Sequence, residues 1–86
     1  MTAFFYRASK VEEDESQVIY RLNRDYLREP ELTDEVIIDK NGLVVTNVED
    51  LEESFKGEVS MKAVYWLGWK LRQTPNVFPE ELTHLA

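Results

Sequence analysis

The chain has 86 residues, 43% of them apolar and 31% charged, with a formal net charge of -7 and no cysteine. That size suits a single small domain over residues 1–86, and without cysteine there is no disulfide framework, thiol catalyst or thiolate metal centre, so apolar burial must hold the fold, as expected in a reducing cytoplasm. No apolar run reaches the about 18 residues of a membrane span, and the opening Met1-Thr2-Ala3-Phe4-Phe5-Tyr6-Arg7 lacks the basic start and long apolar stretch of a secretion signal, so an unexported protein is expected.

Residues 3–11 are rich in aromatic and β-compatible side chains and predict a first strand, with Glu12-Glu13-Asp14-Glu15-Ser16 as a polar hairpin loop. From Gln17 to Asn23, Val18, Tyr20 and Leu22 alternate with Ile19, Arg21 and Asn23, the period of a half-buried strand. A helix over 16–29 competes, because Val18, Ile19, Leu22 and Tyr26 also fall at helical spacing and Pro30 would end it; the alternation favours the strand. The clearest local signal is Val36-Ile37-Ile38-Asp39, Lys40-Asn41-Gly42 and Leu43-Val44-Val45-Thr46. Asn-Gly accepts the positive φ angles of a type I′ turn, so these β-branched runs predict a hairpin.

Thr46, with Glu49 three residues on, forms a capping pattern, and Val48, Leu51 and Phe55 recur at helical spacing until Gly57. A short helix over 47–56 is expected, with Glu49, Asp50, Glu52 and Glu53 on its outer face. Ser60 then caps a longer helix through Gln73, whose core stripe is Met61, Val64, Tyr65, Gly68 and Leu71, with Lys62, Trp66, Trp69 and Gln73 on a flank beside it. The odd positions from Val59 to Leu71 are also all apolar, a strand pattern, but the length and the Met, Lys, Ala and Leu content favour the helix. Pro79-Glu80-Glu81-Leu82 reads as a final helical turn with proline at a permitted first position. Together these elements predict an α+β fold: an antiparallel sheet of three to four strands, then two helices packed on one face, then a short C-terminal helical turn.

Chemistry-bearing patterns are sparse. His84, the only histidine, lies two residues before the last and reads as a surface or docking residue rather than the base of a triad. A histidine-based metal site needs more than one, and Asp39-Lys40-Asn41-Gly42 puts its glycine at position four rather than six of a calcium loop. Gly42, Gly57 and Gly68 are too far apart for a phosphate-binding loop, and no spacing among the seventeen acids singles out a catalytic pair. A non-enzyme without cofactor or metal is expected.

The acids are segregated. Residues 12–17 carry -4, residues 29–39 carry -5 and residues 48–58 carry -4, separated by stretches of net positive charge. Direct nucleic-acid binding and docking to anionic membranes require the opposite sign, whereas a basic protein would be attracted and steered by such a field. The plainer reading is that these blocks are solvated faces that keep the chain soluble. The expected function is therefore a non-catalytic acidic binding protein that recognises and inhibits a basic protein partner, such as a nuclease toxin or a nucleic-acid-binding complex, in the manner of immunity proteins and phage-encoded inhibitors. Glu12, Glu13, Asp14, Glu15, Glu31, Asp34, Glu35, Glu49, Asp50, Glu52 and Glu53 would supply the charge, and Trp66 and Trp69 the apolar anchors. The alternative is a structural or assembly subunit that homodimerises or docks through the Trp66/Trp69 helix.

Overall fold

A computed structural model describes residues 4–54 and 61–85. Five strands and two helices follow in the order β1 (Phe5–Glu13), β2 (Gln17–Asn23), β3 (Asp34–Asp39), β4 (Val44–Val45), α1 (Val48–Ser54), α2 (Met61–Gln73) and β5 (Glu81–Leu85). The strands form one antiparallel sheet in the order β4-β3-β2-β1-β5. The mixed α+β class agrees with the sequence pattern, but the sheet gains a fifth strand where a helical turn was expected.

Strand periodicity sorts the side chains by face. Tyr6 and Ala8 of β1, Val18, Tyr20 and Leu22 of β2, and Val36 and Ile38 of β3 are buried on one face. Leu51 of α1 and Ala63, Val64, Trp66, Leu67 and Leu71 of α2 join them in one apolar cluster. The alternation over 17–23 thus wins over the competing helix. What ends β2 is polar: Asn23 Oδ1 accepts the Asp25 N–H at 2.6 Å while Asn23 Nδ2 donates to the Glu29 carbonyl at 2.7 Å. This Asx-type pairing turns the chain before helical bonds can propagate.

The first hairpin is tighter than the acidic run suggested. Asp14 Oδ1 accepts from the backbone N–H groups of Ser16 and Gln17 and from the Ser16 hydroxyl, closing the loop, so Glu12 and Glu13 belong to β1. Pairing steps from Lys10 opposite Tyr20 to Glu12 opposite Ile19, leaving Val11 as a bulge. The extra residue puts Lys10 and Glu13 on the same face, where an unbroken strand would have opposed them.

The β3–β4 hairpin forms, but without the expected two-residue turn. Ile38 pairs with Val45 and Asp39 with Val44, so the loop spans 40–43, and the positive φ angles fall on Gly42 (95°) and Leu43 (55°). Asp39 Oδ1 accepts the Asn41 N–H at 2.8 Å and opens this wider turn. The left-handed backbone of Leu43 is held in place by its side chain, which packs against the core.

At α1 the Thr46 hydroxyl bonds to the Ile37 carbonyl rather than capping the helix. Asn47 accepts from Ile37 N–H and donates to the Glu35 carbonyl, tying the helix start to the edge of β3. The expected extension of α1 through Phe55 to residue 56 and the Ser60 cap of α2 lie outside the described residues.

Two expectations about the C-terminal half are corrected. First, Glu81-Leu82-Thr83-His84-Leu85 is strand β5, running from Phe5 opposite Leu85 to Ser9 opposite Glu81. The otherwise unpaired edge of β1 satisfies its backbone groups, and Leu82 packs on the core, which outweighs the local helix-start signal of Pro79. Second, α2 is rotated from the expected phase. Ala63, Val64, Trp66, Leu67, Gly68 and Leu71 face inward, while Tyr65 is 67% exposed and Trp69 56% exposed. Register sets this phase: β5 places His84 opposite Tyr6, and the Trp66 ring fits beside them at 5.6 Å from His84, nearly parallel, and 5.8 Å from Tyr6.

Candidate functional site

The three acidic blocks have different fates in the fold. In the first, Glu13 lies between Lys10 Nζ at 2.8 Å and Lys40 Nζ at 2.6 Å, and these bonds, Lys10 first, hold its carboxyl below the usual range. Asp14 is lowered by the backbone N–H groups of Ser16 and Gln17 and by the Ser16 hydroxyl. Both acids therefore serve the first hairpin. Glu12, opposite Ile19, and Glu15, in the loop, are exposed.

In the second block Glu31 is exposed in the turn after Pro30, and Glu35 lies 3.7 Å from Arg21 on the neighbouring strand. Asp34 begins β3, partly buried, with its Oδ2 enclosed and lacking a hydrogen-bond partner. The third block is unlike the others. Glu49, Asp50, Glu52 and Glu53 are all exposed on α1, and none has an ion-pair partner among the described residues. Four unneutralised carboxylates within two helical turns make this the densest free negative charge in the described structure. Glu49 and Asp50 also sit in the first turn, where the helix dipole favours them.

The tryptophans do not share a surface. Trp66 is 8% exposed and belongs to the core, whereas Trp69 projects outward one turn after Tyr65. Lys62 and Arg72 flank that aromatic pair at three-residue spacing, so the outer face of α2 is aromatic and positive. Sequence reasoning missed Tyr65 because the expected phase buried it.

A second network, also unforeseen, locks the segment before β5. Lys10 Nζ donates to the Phe78 carbonyl at 3.0 Å and pairs with Glu80 at 3.2 Å, while the Tyr20 hydroxyl donates to the Pro79 carbonyl at 2.7 Å. Burial pushes the Tyr20 phenol up to about 12, and the hydrogen bonds that Lys10 donates to Glu13 and then to Glu80 raise its own pKa.

On the sheet face opposite the helices, a cleft of about 170 Å³ is lined by Arg7, Ser9, Arg21, Asn23, Tyr26, Pro30 and Thr33. Odd-numbered strand positions supply its floor and the 24–33 segment its wall. Arg7 Nη2 donates to Glu81 Oε2 at 2.9 Å, which raises the Arg7 pKa, and its guanidinium lies 4.4 Å over the Tyr26 ring. No cluster of three or more His, Cys, Asp or Glu able to hold a metal ion occurs among the described residues, and none of their helices is long and apolar enough to cross a membrane. No family model, curated protein or solved structure matches the chain.

Proposed function

We propose that the chain is a non-catalytic binding protein that recognises a basic surface on another protein through the outer face of α1 and inhibits that partner, the class being a nuclease toxin or a nucleic-acid-binding complex. The observation that carries this reading is the set Glu49, Asp50, Glu52 and Glu53, exposed and without an ion-pair partner among the described residues, while Glu13, Asp25, Glu35, Glu80 and Glu81 pair with cations of the same chain. Unpaired exposed charge costs little desolvation until a partner arrives and steers encounter over about a Debye length of 8 to 10 Å.

Affinity capture from lysate at low and high salt, read by mass spectrometry, tests it with the native chain beside a Glu52→Lys/Glu53→Lys variant. That pair spares the first-turn acids that stabilise the helix. The native chain is expected to retain a basic protein at low salt, with the variant retaining about tenfold less, since like charge now faces the partner. Equal retention by both chains removes α1 from recognition.

A second reading, assembly through α2, is favoured by the exposure of Tyr65 and Trp69. Dilution across the micromolar range, followed by sedimentation, is expected to show a dimer that a Trp69→Ala chain does not form; a monomer at every concentration ends this reading.

A further inference from the structure

We infer that the cleft on the open face of the sheet is a binding site for a small oxyanion of about phosphate size, independent of the acidic helix. Its donors are arranged before any ligand arrives. Ser9 on β1 stands opposite Arg21 on β2, and Arg7 opposite Asn23, so the two arginines are diagonal neighbours on one face. Arg7 is fixed by the Tyr26 ring below its guanidinium and by Glu81 beside it. The wall is fixed as well: Tyr26 N–H donates to the Phe5 carbonyl at 2.9 Å, and Asn23 fastens the turn through Glu29.

Three groups lining the cleft make no side-chain hydrogen bond among the described residues, although Arg21 is ion-paired with Glu35. Arg21 approaches its nearest carboxylate, Glu35, only to 3.7 Å, beyond hydrogen-bond reach, and its side chain is 53% exposed. The Ser9 and Thr33 hydroxyls make no hydrogen bond among the described residues. A guanidinium fork with two hydroxyls matches an oxyanion, whose lone pairs outnumber those of any neutral group this size. The volume agrees. At about 170 Å³ it lies well below the about 300 Å³ at which drug-sized pockets begin. Glu81 and Glu35 stand beside the two arginines and offset part of their charge, so the site rests on the geometry of its donors, while the exposed acids of α1 are screened within about 10 Å.

The test is a titration of the whole chain with sodium phosphate at constant ionic strength, followed by amide and arginine Nε–H resonances, with sodium acetate in a parallel arm to separate a phosphate from a carboxylate preference. Saturable shifts at Ser9, Arg21 and Thr33 are expected with at least one of the two anions. Arg21→Gln is expected to weaken that binding about tenfold, the usual loss with a charged hydrogen-bond donor, while Arg21→Lys loses less. Ser9→Ala/Thr33→Val, which leaves both arginines in place, is expected to weaken it too. Shifts that chloride reproduces, that never saturate, or that persist in both variants overturn the site.

Discussion

Glu13 shows how one side chain can hold distant parts of this chain together. It receives Lys10 from its own strand and Lys40 from the β3–β4 turn, while Lys10 reaches on to Phe78 and Glu80. Because the folded state holds the Glu13 carboxyl below its ordinary 4.5, the stability it contributes is complete above that value and is lost as pH falls through the lower, folded-state value. Lys10 runs the other way. Its folded pKa lies above 10.5, so its contribution is complete below 10.5 and is lost as pH rises through the raised value. Urea midpoints measured from pH 6 down to pH 2 should therefore fall less steeply for Glu13→Gln than for the native chain. Parallel acid limbs would show that the two lysines contribute nothing to folding through this carboxylate. The ion pair was not legible in the sequence: it depends on the Val11 bulge, and nothing local announces that the strand will skip that residue.

At the scale of elements, what the sequence made legible was what local periodicity decides. The alternation from Gln17 to Asn23 marked β2, the β-branched runs around Asn41-Gly42 marked a hairpin, and the spacing of Val48 and Leu51 put four acids on the free side of α1, so the candidate partner surface could be read before the fold was known. The misreadings came from distance. β5 pairs with a strand more than 70 residues earlier, and in isolation Pro-Glu-Glu-Leu carries a helix-start pattern. The phase of α2 was ambiguous because apolar residues surround it, leaving no clean polar stripe; only the Tyr6/His84 slot decides that Trp66 turns inward. The anion cleft was invisible for the same reason, since its residues come from β1, β2 and the connection to β3. The rotational phase has a direct check. Trp66→Ala should cost about 3 to 5 kcal/mol in chemical denaturation, as expected for a large aromatic removed from a core, whereas Trp69→Ala should stay within about 0.5 kcal/mol. Similar costs for both would place the two rings in similar surroundings and overturn the observed phase.

Across the whole molecule, a chain of net charge -7 separates its charges by face. The densest group of free carboxylates among the described residues stands on α1, an aromatic pair between Lys62 and Arg72 stands on the outside of α2, and two arginines stand on the uncovered side of the sheet. A partner or ligand therefore meets a local field that the average charge does not describe, and the two binding proposals stand or fall separately: lysines at 52 and 53 leave the cleft untouched, and glutamine at 21 leaves α1 untouched.

The pairing of Phe5 with Leu85 also fixes how the fold would yield to tension. β1 and β5 are antiparallel neighbours, with the early end of one beside the late end of the other, so a pull applied near residues 5 and 85 opens their ladder like a zipper. Each backbone bond is loaded in turn, and the strands are never sheared against their full set of bonds at once. β5 should therefore peel away at low force and bare the Trp66 ring, while β2 and β3 are still paired.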